Sequence, residues 1–373
     1  MRLLQINTTA TGAAPAAVAC SIALATDAAG GESLLCYGRG PQPGASVNAV
    51  RFGTPMGVAA HGLRTRLLDG HGLGSKAATL ELLRIIERYQ PTHIHLHNLH
   101  GYYLHYPTLG GYLRHCGLPI TWTMHDCWAM TGHCAYPSEH SCDRWMTGCH
   151  KCPARRTYPG SWLLDASATN HRTKIVAFSD IPQMEIHAVS HWLSAQLERS
   201  YLSQYPITVH HPDADPRIFS PAPGRQAIRR QLGVADSEKL ILGVANFAEP
   251  RKGFRDFLAL RDIMPEGWKF LMVGLTSQQL HSLPEGIVGS PRIRSTEQLR
   301  QMYTAADILF HPTRADTYSM TIREAALCGT PSVVYDTCGA HEALVPGLGA
   351  AVSPTPAAAA KAILVITDNK SIL

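Results

Sequence analysis

The 373 residues carry 45% hydrophobic and only 16% charged side chains, a balance that excludes a disordered chain and leaves room for two domains, each with its own core. Net charge is +5 with histidine neutral, but the lysines and arginines are dispersed and no nucleic-acid motif appears, so nucleic acid is not an expected partner. No apolar run reaches the roughly 18 residues of a membrane-spanning helix, and Met-Arg-Leu-Leu-Gln-Ile-Asn turns polar too soon for a secretory signal; a cytoplasmic protein is expected. Twenty histidines could add positive charge at mildly acidic pH, which suits an anionic substrate or membrane surface.

Leu3–Asn7 reads as a buried first strand, Ala13–Ala25 as a helix and Ser33–Tyr37 as the next strand. Ala77–Tyr89 repeats apolar residues at i, i+3 and i+4, the pattern of an amphipathic helix that Pro91 ends. His93–His97 follows as a strand, Thr108–His115 as a helix and Ile120–Met124 as a strand. Between about 127 and 160 the pattern gives way to a loop rich in Cys, His, Trp and Gly. Glu185–Ser190 is then a strand and Trp192–Tyr201 a helix, before the Pro-rich linker Val209–Pro221. A second series follows: strand Lys239–Ala245, helix Phe254–Asp262, strand Trp268–Val273, helix Glu297–Ala305 and strand Ile308–His311. Strands alternating with helices predict an α/β protein of two Rossmann-like parallel-sheet domains, 1–208 and 209–373, facing across a cleft.

Asp316 and Glu324 stand eight positions apart in Asp-Thr-Tyr-Ser-Met-Thr-Ile-Arg-Glu, the first before a helix and the second on it. With Thr317 or Ser319 as cap, the N–H groups around Tyr318, Ser319 and Met320 would point outward, ready for a phosphate. Glu324, about two turns along, could reach a ribose. Arg251 and Lys252, in Asn246-Phe-Ala-Glu-Pro-Arg-Lys-Gly253, follow a strand end and could clamp a diphosphate, with Gly253 letting the backbone approach. His125 and Asp126 come directly after Ile120–Met124, at the expected cleft. These segments also admit a plain reading, as loops with solvated charges and hydrogen-bonded histidines.

The Asp316–Glu324 segment resembles the carboxylate-x7-carboxylate motif of retaining family-4 glycosyltransferases, which have the GT-B fold. Members usually carry Glu and Gly-Phe-Gly-Leu where this chain has Asp316 and Thr-Tyr-Ser-Met. The 246–253 loop resembles their donor-phosphate loop, with Asn246 at the position of its Arg and Lys252 matching its Lys. Gly12, in Thr-Gly-Ala-Ala-Pro, stands where members have a more glycine-rich loop, and His210-His211 where they show Asn-Gly. Gly72–Thr79, His95–Tyr103 and His125–Cys134 narrow the likeness to bacterial enzymes that build colanic-acid-type, capsular or lipid-linked surface polysaccharides.

The resemblance implies a retaining hexosyl or glycosyl transferase, moving sugar from a nucleotide-diphosphate sugar to a saccharide acceptor, expected to be lipid-linked, with peripheral contact at the cytoplasmic face of the inner membrane. It implies His125, Lys252 and Asp316 at the reacting sugar. Gly12, Asn246, Arg251, Lys252, Asp316, Tyr318, Ser319, Met320 and Glu324 would bind the donor, and His97, Asn98, His100 and Tyr102 the acceptor. No catalytic metal is expected. Separately, Cys134, Cys142, Cys149 and Cys152 fall within nineteen residues and end in Cys-x-x-Cys, a pattern suited to structural zinc, with buried thiols or disulfides as alternatives. The other six cysteines read as packing residues. Two other functions stay open: a sugar-nucleotide epimerase or hydrolase on the same scaffold, and a non-catalytic scaffold subunit. The segment 357–373 is shorter than the resemblance leads one to expect for the last helix.

Overall fold

A computed structural model describes residues 1–293 and 295–369. It contains two compact units, Met1–His210 and a second beginning at His211.

The first unit is built on a seven-stranded sheet: β1 (Arg2–Thr9), β2 (Glu32–Arg39), β3 (Ala49–Arg51), β4 (His93–Leu96), β5 (Ile120–Met124), β6 (Met184–Ala188) and β7 (Ile207–Val209). Their order is β3-β2-β1-β4-β5-β6-β7, with every pair parallel. Helices must therefore cross over between strands and cover the sheet, which is why six of the eight residues of β1 and of β2 are buried. The helix Lys76–Tyr89 shows how sequence dictates this: Leu82, Ile85 and Ile86 form its buried stripe. It stops at Gln90, in the left-handed region at φ 51°, just before Pro91. Chain order reverses between β1 and β4, so their carboxyl ends form the switch point at which open α/β sheets take ligands.

The second unit repeats the plan with β8 (Lys239–Val244), β9 (Trp268–Val273), β10 (Ile287–Ser290), β11 (Ile308–His311), β12 (Ser332–Tyr335) and β13 (Gly349–Val352). Their order is β10-β9-β8-β11-β12-β13, again all parallel. Alternation along the strands feeds two cores. Leu240, Leu242, Leu271, Val273, Leu309 and Val334 pack on one face. Ile241, Phe270, Met272, Ile308, Phe310 and Val333 pack on the other. Here the switch point lies between β8 and β11.

The two-series α/β reading holds, and the named elements recur with bounds shifted by a few residues. Four short strands (β3, β7, β10 and β13) and the helices Pro55–Leu68, Ser167–Phe178, Arg225–Gln231 and Ser277–His281 were not anticipated, while Pro356–Asn369 is the last helix of the second unit. The 127–160 segment contains only single 3-10 turns, at Trp128–Met130, Pro137–His140 and Arg144–Met146. Of the expectation for 357–373, residues 370–373 lie outside the described residues.

Candidate active site

At the switch point of the second unit, the loops after β8 and β11 bring together residues 64 positions apart. Lys252 Nζ donates to Asp316 Oδ2. Arg251 is buried beneath them: its Nη1 donates to the Ala315 carbonyl at 2.6 Å and lies 3.9 Å from Asp316 Oδ1, while Nη2 meets Glu249 at 2.5 Å. The Arg251 carbonyl in turn accepts the Arg314 N–H at 2.7 Å. Arg251 thus braces the loop that carries Asp316. Asn246 Nδ2 donates to Glu249 Oε1 at 2.8 Å.

Burial alone would raise the Asp316 carboxyl, but Lys252, His311 and Arg251 outweigh it and hold it well below the usual carboxylate range. The Asp316 N–H is bound to Cys338 Sγ at 3.0 Å, so Cys338 does more than the packing assigned to it from sequence. His311, the last residue of β11, has Nε2 3.9 Å from Asp316 Oδ2 and 3.2 Å from Ser319 Oγ; burial lowers its pKa.

The helix expected after Asp316 spans Met320–Leu327 with Ser319 as its N-cap residue, but the expected capping bond is not made. The Ser319 hydroxyl is spent on His311, so Ser319 does not close the first turn as a cap. That leaves the amide end of the helix, with its positive dipole, beside Lys252 and Asp316. Tyr318 stacks on His211 with ring centroids 5.3 Å apart, and His211 Nε2 meets Glu342 at 3.1 Å. On the helix, Glu324 Oε2 accepts the Tyr303 hydroxyl at 2.7 Å. Burial pushes the Glu324 carboxyl up to about 7, against the opposing effect of that hydrogen bond.

Gly253 ends the basic loop at φ 74°, and a Cβ there would run into the carbonyl and ring of Pro312 at the end of β11. Gly253→Ala should therefore cost roughly 1–3 kcal/mol and displace Lys252. Urea unfolding checks it: an unchanged midpoint would show that the β8 and β11 loops are not packed as described.

In the first unit, Gly12 adopts φ 79° in the turn between β1 and the helix Ala14–Ala28. His93 and His95 lie on one face of the central strand β4, and His97 follows just past its end. His93 and His95 bond Thr121 and Thr123 of the next strand at 2.9 and 2.7 Å, and His95 stacks on His97 at 4.5 Å. His97 Nε2 meets Gln5 at 2.9 Å and its Nδ1 meets His125 Nε2 at 3.2 Å. Burial lowers His125 to about 4 and His95 to about 3. His100 Nε2 bonds Asp126 at 2.7 Å and its Nδ1 meets Tyr158 Oη at 2.9 Å. The Asn98 carbonyl accepts Tyr103 Oη at 2.7 Å, and Tyr102, at φ 71°, donates to the Pro159 carbonyl at 3.3 Å.

The structure thus joins His97 to His125 and, separately, His100 to Asp126. The four cysteines of the loop, with His133, line one small pocket, and all ten cysteines are free thiols. Sequence reasoning missed Tyr303, His311, Tyr158 and the buried Lys174. His311 carried a signal, as the last residue of a strand at the switch point; Tyr303 and Lys174 sit mid-helix and carried none.

Two Rossmann-like units of this build define the GT-B glycosyltransferase fold. The chain is similar to sucrose-phosphate synthase from Thermosynechococcus elongatus, with TM-score 0.72 and 17% identity over 99% of this chain and 90% of that one. It is likewise similar to HepE from Anabaena in complex with UDP, with TM-score 0.66 and 16% identity over 99% and 91%. Residues 238–369 match the family model for glycosyl transferases group 1. The putative colanic acid biosynthesis glycosyl transferase WcaC of Escherichia coli K12 is 39% identical over 88 residues, 21% of this chain and 20% of that protein, so the match spans about a fifth of the curated relative. The resemblance read from the sequence holds: the chain has the GT-B fold, and its second unit carries the group 1 glycosyltransferase sequence pattern. Among the described residues no helix is long and apolar enough to cross a membrane.

Proposed function

We propose that this protein transfers a sugar, with retention, from a nucleotide-diphosphate sugar to a saccharide acceptor in surface-polysaccharide synthesis, the acceptor being lipid-linked. The observation that carries the reading is the meeting of Lys252, Asp316 and an uncapped helix start at the switch point of the second unit. In the donor complex, Lys252 and the helix amides stabilise the charge that grows on the leaving diphosphate. Asp316, kept ionised, accepts hydrogen bonds from the sugar hydroxyls, and Glu324 takes the ribose. Arg251 positions the Asp316 loop. The departing phosphate and the acceptor share the same face of the sugar, which preserves its configuration without a covalent intermediate. HepE, of the same fold, binds UDP, and WcaC is named for colanic acid synthesis, which supports a UDP-sugar and a polysaccharide product.

Thermal unfolding with UDP, GDP, ADP and CMP tests the donor site. A nucleotide at about a hundred times its Kd adds roughly 2.7 kcal/mol of stability. If none shifts the transition, the donor reading fails. Donor consumed at full rate without any acceptor would favour an epimerase or hydrolase instead.

We place the protein peripherally at the cytoplasmic face of the membrane. Trp162, Leu163 and Leu164 are consecutive and 64%, 65% and 52% exposed, close in sequence to the exposed Lys151 and Arg156. Exposed apolar side chains preceded in sequence by exposed cations suit an anionic leaflet. Trp162→Ser with Leu163→Ser should cut sedimentation with phosphatidylglycerol vesicles at least fivefold; equal binding by wild type and variant would reject this surface.

A further inference from the structure

We propose that the Cys/His-rich loop of the first unit is a structural zinc site whose ligands are His133, Cys134, Cys149 and Cys152. Spacing alone pointed to four cysteines; the structure adds a nitrogen donor. His133, Cys134, Cys142, Cys149 and Cys152 line one pocket. Cys134 and Cys152 lie within hydrogen-bond reach of each other, and Cys149 Sγ accepts the Gly132 N–H at 3.1 Å, as a thiolate ligand does.

The decisive group is His133. Its side chain is fully buried, as is that of Asp69, and its Nδ1 lies 2.5 Å from Asp69 Oδ1. Asp69 is held in place from both sides: Oδ2 accepts the Ala166 N–H at 2.9 Å, and the Asp69 carbonyl accepts Asn170 Nδ2 at 2.7 Å. A carboxylate only accepts, so the Asp69 contact places the imidazole proton on Nδ1 and leaves a lone pair on Nε2. That Nε2 is buried and has no hydrogen-bond partner. A carboxylate behind the far nitrogen of a metal-binding histidine is the common outer-shell arrangement; it fixes the tautomer and raises the basicity of the ligating atom.

Five donors compete for four positions, and the unmet need decides between the last two. A neutral thiol such as Cys142 is a weak hydrogen-bonding group and can stay unpartnered at little cost, whereas a buried imidazole lone pair cannot. Three thiolates and one imidazole suit tetrahedral Zn²⁺. No three of the donor atoms lie within 4.8 Å of one another, among the described residues, against an edge of about 3.8 Å in a tetrahedron with zinc–sulfur bonds of about 2.3 Å. Binding therefore requires the cysteine side chains to turn inward, which a loop of single 3-10 turns allows. The metal would fix a segment that starts at Asp126 and Trp128, next to His100, and is otherwise tied down by the buried Lys174, whose Nζ donates to the Trp128 and Thr131 carbonyls at 2.6 and 2.9 Å.

The test uses the full chain, purified with reductant and without added metal or chelator. Emission spectrometry should find about one zinc per chain. Replacement by Co²⁺ should give thiolate charge-transfer bands of three-sulfur intensity and tetrahedral ligand-field bands. His133→Cys should keep the cobalt and move those bands to lower energy. His133→Ala and Cys152→Ser should lower the metal content at least tenfold, and Cys142→Ser should retain it. Zinc below a tenth per chain, with no cobalt charge-transfer band in protein whose circular dichroism shows it folded, overturns the site. Loss of metal in Cys142→Ser, with an unchanged cobalt spectrum in His133→Ala, overturns the ligand assignment. Should His133→Ala fail to fold, the wild-type cobalt spectrum and Cys142→Ser still decide.

Discussion

Lys252→Ala is expected to lower the rate of sugar transfer by about 10² to 10³, with a smaller effect on nucleotide binding. The reason is where the charge sits. Lys252 Nζ is held on Asp316, and Asp316 is fixed in turn by the braced Arg251 loop and by Cys338. In the proposed mechanism the ammonium waits at the site where diphosphate charge develops, and removing one such preorganised donor typically costs that factor. The substitution also strips Asp316 of its nearest cation, leaving Arg251 and His311 each 3.9 Å away. Its carboxyl should then rise toward the ordinary range, since Lys252 is the strongest of the groups holding it down. Steady-state kinetics with a UDP-sugar and a purified acceptor, beside circular dichroism of the variant, would decide the matter. A rate within threefold of wild type would remove Lys252 from the machinery.

Glu324→Gln should weaken nucleotide binding tenfold to a hundredfold, because a hydrogen bond to a charged group is worth about 1.5–3 kcal/mol. It should also change the pH response of the unliganded protein. The folded-state pKa of about 7 lies above the 4.5 of a free glutamate side chain. The protonated carboxyl is therefore the favoured folded form, and its contribution is fully present below about pH 4.5 and lost as pH rises through 7. At about 1.4 kcal/mol per unit, the wild type gives up at most about 3 kcal/mol across that window, and the glutamine variant does not. Above pH 7.5 the unliganded variant should therefore unfold at higher urea than the wild type. With UDP the order should reverse, since the ionised carboxylate is the better ribose partner. A change in urea midpoint between pH 5 and pH 8 that is the same in the wild type and in Glu324→Gln would show that Glu324 is not buried as described.

The sequence made some of this arrangement legible and hid the rest for physical reasons. Asp316 and Glu324 were readable because their spacing is local, and a helix carries local spacing into space. Lys252 and Asp316 could each be placed at a strand end, but their contact spans 64 residues and depends on β8 and β11 being neighbours, a fact of strand order that no local pattern encodes. Arg251 reads from sequence as one half of a diphosphate clamp, and only the fold shows its guanidinium turned inward on Ala315 and Glu249. The helix Pro55–Leu68 escaped notice although Thr54 caps it and Pro55 opens it, because Gly57, Gly62 and scattered polar residues blur its apolar stripe. The strands β3, β10 and β13 are three or four residues long, too short for an alternation to show.

The crowded imidazoles of the first unit bear on how the molecule meets acid. Burial depresses His61, His71, His93, His95, His97, His105, His125, His171 and His187, and His311 in the second unit behaves alike. Half of the chain's twenty histidines therefore decline the protons that their free counterparts would take near pH 6.5. Between pH 7 and pH 5 these ten groups buffer less than free imidazoles would. The protein's electrophoretic mobility should rise less than twenty free imidazoles would make it rise. The protons it refuses are taken up on unfolding instead, so the stability these groups lend above pH 6.5 drains away as pH falls toward 4.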